Sequence, residues 1–167
     1  MNKETFDIIT WTTSGARFAA SKRLSKQNRL ALYGAAMLSL ASTLLATSHL
    51  PWASYAASVT SAFALVFSLI EASGEHGIKS ERLHQCAVKI RELMYQAKAE
   101  NADMAALSEQ YYRVIAECPE NHQAIDVNLI KAQAVGDNHF SVRYALCSYG
   151  LYWSVITLAL VLIASGR

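Results

Sequence analysis

The charged residues of this chain are segregated along its length. None of Asp, Glu, Lys or Arg occurs in the 41 residues from 30 to 70, nor in the 23 residues from 144 to 166. A helix rises about 1.5 Å per residue, so roughly 20 apolar residues cross a hydrocarbon core about 30 Å thick. The first stretch has length for two crossings and the second for one. Pro51 and Trp52 divide the first stretch. Proline stops a helix, and tryptophan favours the membrane–water interface. The pattern predicts spans over residues 30–50, 53–70 and 144–165, the first two forming an antiparallel hairpin. A soluble domain could bury one such helix, but hardly three.

Residues 72–140 change period. Leu83, Ala87, Ile90, Met94 and Ala97 recur at spacings of three and four, with Lys89, Arg91 and Lys98 off that face. This predicts an amphipathic helix over residues 78–101. Leu107, Tyr111, Val114, Ile115 and Cys118 repeat the pattern over 102–118, where Pro119 ends it. A shorter helix over 120–134 turns Ile125, Leu129 and Ala132 inward, and Gly136, Asp137 and Asn138 break the chain before the last span. The predicted fold is an all-α membrane protein. It comprises a basic helical segment (1–29), a transmembrane hairpin (30–71), a cytoplasmic region of amphipathic helices (72–140) and a third transmembrane helix (141–167).

Composition changes this little, since 53% hydrophobic and 17% charged residues average out the segregation. Charge placement adds orientation. Residues 1–29 hold Lys3, Arg17, Lys22, Arg23, Lys26 and Arg29 against Glu4 and Asp7. An inside amino terminus puts 14 of the 15 Lys and Arg on the cytoplasmic side and leaves Arg167 outside. The positive-inside rule selects that orientation. The 29 residues ahead of the first apolar run are polar, which predicts an uncleaved anchor in place of a secretory signal. Cys86, Cys118 and Cys147 lie about thirty residues apart. That spacing is neither a zinc pattern nor a disulfide framework, and fits reduced thiols.

Enzymatic motifs are absent: there is no Gly-rich phosphate loop, HExxH, CxxC or nucleophile elbow. His84 with Cys86, and His122 with Asp126, are the best local clusters, and both read as solvated helix faces. Residues 76–140 carry seven Lys or Arg against nine acids, a balance unsuited to nucleic acid. We expect no catalytic residue, metal or cofactor. The informative residues lie within the spans. Ala31, Ala35, Ser39, Ser42 and Ala46 share one face of the first, while Ser54, Ser58, Ser61 and Ser68 share a face of the second. Gly150, Ser154 and Thr157 do so on the third. Small residues let helices approach closely in lipid, and hydroxyls can line a water-filled path. Both uses remain open, and either favours self-association. Ser54, Ser58, Ser61 and Ser68, with Ser39 and Ser42 next, are the candidate lining. Glu71 is either a solvated helix end or an acid at a pore mouth.

The run Ala16-Arg17-Phe18-Ala19-Ala20-Ser21-Lys22-Arg23-Leu24 precedes the hairpin, and Leu83-His84-Gln85-Cys86 follows it. Then come Cys118-Pro119-Glu120-Asn121-His122-Gln123-Ala124-Ile125-Asp126 and the final apolar segment. In these motifs and their order the chain resembles the SLATT family, membrane effectors of bacterial nucleotide-signalling conflict systems. The resemblance implies a protein of the bacterial inner membrane that permeabilises it during antiphage defence, and with the small-residue faces above we expect it to act as a homo-oligomer. It also implies a partner, such as a synthase of a nucleotide second messenger or a sensor protein, and we expect no fused sensor domain to take that part. Arg17, Arg23, Asn121, His122 and Asp126 are the family positions carried over, as signal-coupling or structural residues. The alternative is a membrane-anchored scaffold without a pore.

Overall fold

The computed structural model describes the backbone of residues 2–165, and all their side chains except 73, 138, 151, 158–160 and 162–165. Arg167, on which the external carboxyl terminus rests, lies outside the described residues. Six helices follow in order: α1 (Lys3–Ala46), α2 (Ala53–Gly74), α3 (His76–Gln96), α4 (Met104–Glu117), α5 (Ala124–Ala134) and α6 (Asn138–Ser165). No strand occurs among the described residues.

The basic segment and the first span are one helix, not two. No proline lies between residues 1 and 50, and the stretch from Lys22 to Arg29 is made mostly of good helix formers. The Asn2 carboxamide oxygen opens α1 by accepting the Thr5 amide at 2.8 Å. At its other end α1 stops at Ala46, short of the predicted residue 50. There the hydroxyls of Thr43, Thr47 and Ser48 donate to the carbonyls of Ser39, Thr43 and Leu45 at 3.0, 3.2 and 2.9 Å. Pro51 follows closely, and a proline disfavours helical backbone at the residue before it.

The chain forms two compact units, Met1–Ser25 with Gly77–Tyr144, and Lys26–His76 with Ala145–Arg167. In the first, Phe6, Cys86, Ile90, Leu93, Ala97, Leu107 and Tyr111 form the main core. Phe6 meets Tyr111 edge-on, ring centroids 6.1 Å apart. Leu83, Ala87, Ile90, Met94 and Ala97, the positions spaced by three and four, are all buried. Burying a Leu, Ile or Phe side chain stabilises by about 1.5–3 kcal/mol. Asp103 starts α4, its Oδ1 accepting the Ala105 and Ala106 amides at 3.0 and 3.1 Å. A second cluster joins Ala19, Leu129 and Tyr144. A β-carbon on Gly15 would lie 3.2 Å from the Ile130 side chain, so a larger residue there would require Ile130 to give way by a few tenths of an ångström. Gly136 adopts φ 75°, open to glycine without steric cost, and makes the break before α6. Asp137 then caps α6, accepting the His139 and Phe140 amides at 3.0 and 3.3 Å.

In the second unit Ala31, Phe67 and Tyr152 are the buried centre, with Leu30, Ala35, Leu38, Ile70, Val155 and Ile156 packed on them. Phe67 stacks on Tyr152 at 5.8 Å. Large apolar side chains remain uncovered, among them Tyr33, Met37, Leu40, Leu44, Leu65 and Leu69. Among the described residues, the stretches Lys3–Ala46 and Ala53–Gln96 each hold a window apolar enough to cross a membrane, with mean hydropathies of 1.4 and 1.7. Only 6% and 33% of those windows are buried. A soluble core helix would be mostly covered, so this uncovered apolar surface fits a membrane-spanning pair.

Candidate functional site

Two groupings gather the residues that the sequence singled out. The first is a buried polar network in the first unit. Asp126 sits at the third position of α5 and is fully buried. Its Oδ2 accepts the Gln123 amide at 2.9 Å, closing a capping box with the Gln123 side chain. The same carboxylate takes a two-pronged ion pair from α1: Arg23 Nε donates to Oδ1 at 3.1 Å and Nη2 to Oδ2 at 3.0 Å. Tyr144 Oη, at the start of the charge-free run, lies 2.8 Å from Asp126 Oδ1 and 3.2 Å from the Ala19 carbonyl oxygen. Burial alone would lower the Arg23 pKa, but the hydrogen bonds and charge of Asp126, aided by Tyr144, hold it above its ordinary value.

Arg17 is the second buried cation, 3% exposed. Its Nη1 donates to Cys86 Sγ at 2.5 Å, and its Nε has no hydrogen-bond partner among the described residues. Burial pushes the Cys86 thiol up to about 12, the hydrogen bond with the Cys118 thiol adds to this, and Arg17 opposes it. Ser21 and Ser80 pair nearby, with Ser80 Oγ donating to the Ser21 carbonyl at 2.8 Å. Asn121 is exposed, and its side chain accepts the His122 amide at 2.9 Å. His122 is half-buried and its Nδ1 has no hydrogen-bond partner among the described residues.

The structure thus brings Arg23 and Asp126 into contact, sets His122 within the field of Arg17 and Asp126, and leaves Asn121 in the loop. Tyr144 and Gln123 belong to the Asp126 network, while Cys86 partners Arg17. A Gln-x-x-Asp variant of the capping box was the one local signal for Gln123. Tyr144 had none beyond opening the last apolar run.

The arrangement makes a pH-dependent contribution. Burial and the Arg17 charge lower the His122 pKa below its ordinary value near 6.5, with Asp126 opposing them. The unfolded chain therefore takes up this proton first as pH falls. The His122 contribution is complete above about pH 6.5 and is lost as pH drops toward the lowered folded value. Thermal unfolding of wild type against His122→Gln between about pH 7.5 and 5 should show the wild type losing stability faster. Parallel profiles would refute the assignment.

The second grouping is the row of hydroxyls in the second unit. The face that α2 buries is Ala53, Ala56, Ala57, Thr60, Ala64 and Phe67. Ser54, Ser58, Ser61 and Ser68 lie roughly a quarter-turn away, at about 100° per residue, and are exposed. Ser58 and Ser68 donate only to their own helix, to the Ser54 and Ala64 carbonyls at 3.0 Å each. Ser61 reaches across the hairpin, its Oγ 2.6 Å from that of Ser42, and Ser42 also donates to the Ala57 carbonyl at 3.0 Å. Ser39 is exposed on α1. Glu71 is engaged at the end of α2. With its amide turned to face the carboxylate, Asn28 donates to Glu71 Oε2 at 2.7 Å, and His76 Nδ1 stands 3.6 Å from that oxygen. No group of three or more His, Cys, Asp or Glu suited to a metal occurs among the described residues.

No curated protein and no solved structure matches the chain. A family model does: SMODS and SLOG-associating 2TM effector domain family 5, over residues 3–166. Matched over nearly its whole length, the chain belongs to this family of two-transmembrane effector domains, the SLATT family that its motifs resembled.

Proposed function

We propose that the chain is a membrane-perturbing effector of bacterial antiphage defence. It would assemble as a homo-oligomer and open a path through the inner membrane when a nucleotide-signalling partner raises the alarm. The observation that carries the reading is the serine row on α2, which the chain's own packing leaves uncovered while alanines take the buried face. A hydroxyl row on an otherwise apolar helix is suited to face its counterparts from other copies around water. A three-helix unit has no room for a conduit of its own, so the path requires several chains. Family membership supports the effector role and the link to SMODS and SLOG proteins. In this reading α6 is a third crossing, with the amino terminus cytoplasmic and the carboxyl terminus periplasmic, and the first unit receives the signal. No catalytic step is needed. Purified protein reconstituted in planar bilayers should conduct, and its mass in nanodiscs should be a multiple of one chain. A silent monomer would end the proposal. The contact between Ser42 and Ser61 favours the rival reading, a scaffold in which the small residues only pack.

Orientation has its own test. Cys86 is buried with a thiol pushed up to about 12, so it is inert on either side and reports nothing. Exposed Cys147 is first changed to serine. In that background, an impermeant thiol reagent applied to whole cells should label Ser54→Cys and leave Glu100→Cys untouched. The opposite pattern inverts the topology.

A further inference from the structure

Beyond the oligomer's pore, the second unit carries a cleft of about 340 Å³ lined by Lys26, Arg29, Leu30, Tyr33, Tyr149 and Trp153. Its two ends differ in chemistry. Lys26 and Arg29 are exposed, and no carboxylate lies within ion-pair distance of either among the described residues. The acid carried by this unit's second helix, Glu71, is engaged by Asn28 and His76. Arg29 is also the last cation before the 41-residue charge-free run. From there the cleft continues over Leu30 and Tyr33 on α1. Gln27 donates to the Ser148 carbonyl at 2.7 Å. That bond sets Ser148 level with the Lys26–Arg29 turn, so Tyr149 and Trp153 run on from the same level. Trp153 and Tyr33 remain 61% and 69% exposed, a large aromatic surface left open beside two uncompensated cations.

We infer that this cleft binds an anionic phospholipid, its phosphate and headgroup held by Lys26 and Arg29 and an acyl chain lying along Leu30, Tyr33 and Trp153. Charge complementarity selects the anion. The apolar and aromatic wall that continues from the cations selects a lipid over a soluble phosphate, which would leave that wall unused. The inference rests on the reading of α1 as a membrane span.

The test uses the full chain with Trp11→Phe and Trp52→Phe, so that Trp153 is its only tryptophan. Flotation with phosphatidylcholine vesicles checks insertion first. A chain that does not float overturns the membrane reading and this inference with it. Trp153 fluorescence is then quenched with bromine-labelled phosphatidylglycerol or bromine-labelled phosphatidylcholine at equal mole fraction. The expected result is stronger quenching by the anionic lipid. The preference should fall about fivefold for each cation removed in Lys26→Gln and Arg29→Gln, with flotation unchanged. Equal quenching by the two lipids in floated protein overturns the site while leaving the membrane reading standing. Loss of the preference on adding inorganic phosphate or a mononucleotide would show a soluble-anion site, and overturns it too.

Discussion

Asp126→Ala should destabilise the protein by about 3–5 kcal/mol, the range for breaking a buried ion pair from one side. A typical domain has about 5–15 kcal/mol in total, so the first unit should be largely unfolded or degraded. The cost comes from what stays behind. Arg23 would keep its charge in a buried setting without the carboxylate that engages Nε and Nη2, while Arg17, also buried, already has no carboxylate in ion-pair contact among the described residues. Tyr144 would keep the Ala19 carbonyl, and the Gln123 amide can turn to water because Gln123 is exposed. The charge is therefore the main loss, and the double variant Arg23→Met with Asp126→Leu should recover most of the stability. Hydrogen exchange of α3 and α5 in detergent is the measurement. A double variant as unstable as the single one would show that Asp126 acts mainly as a cap.

Ser58→Leu should abolish conductance in planar bilayers while leaving oligomer size unchanged, if the serine row lines the proposed path. Leucine in a narrow hydroxyl-lined path dewets it. Ser58 is the cleaner position because its hydroxyl bonds only to the Ser54 carbonyl of its own helix. Ser61→Leu should behave differently. Its hydroxyl contacts Ser42 across the hairpin, and a leucine there must push α1 away. That variant should lose assembly along with conductance. Glu71→Gln, which keeps hydrogen bonding to Asn28, should leave conductance near normal and reduce cation preference only if the carboxylate also faces the path. If both serine variants conduct normally, α2 is not the lining and Ser39 on α1 is the next position to change.

What was legible in the sequence was whatever a single segment decides. The charge-free runs mark the apolar stretches, Pro119 and Gly136 mark helix ends, and the apolar spacing of Leu83 to Ala97 marks a buried face. The start of α6 ahead of its apolar run depends on the side-chain cap of Asp137, which hydropathy does not register. Pairings between distant segments were not legible. Arg23 and Asp126 were singled out by short motifs, yet nothing local says that they meet or that Tyr144 completes the set. The serine row of α2 is visible as a helical face, but whether serines or alanines turn inward depends on how α2 rotates against its neighbours. Both faces are built mainly of small side chains, so size does not decide between them, and a serine hydroxyl can be satisfied by its own helix's carbonyl on either side.

The closing contact of the first unit also has a schedule. Arg23 and Asp126 are separated by 103 positions, and a ribosome adds about 5–20 residues per second. The opening helix therefore waits on the order of 5–20 s for the residue that will neutralise its arginine. Phe6, whose core partners run from Cys86 to Tyr111, can find cover before Asp126 is made, whereas Ala19, which packs on Leu129 and Tyr144, is without those partners throughout the interval. The hairpin is synthesised in the meantime. The cationic first part of α1 is thus made ahead of the apolar stretch of the same helix, and the side of it that carries Ala19 stays uncovered until α5 has been made.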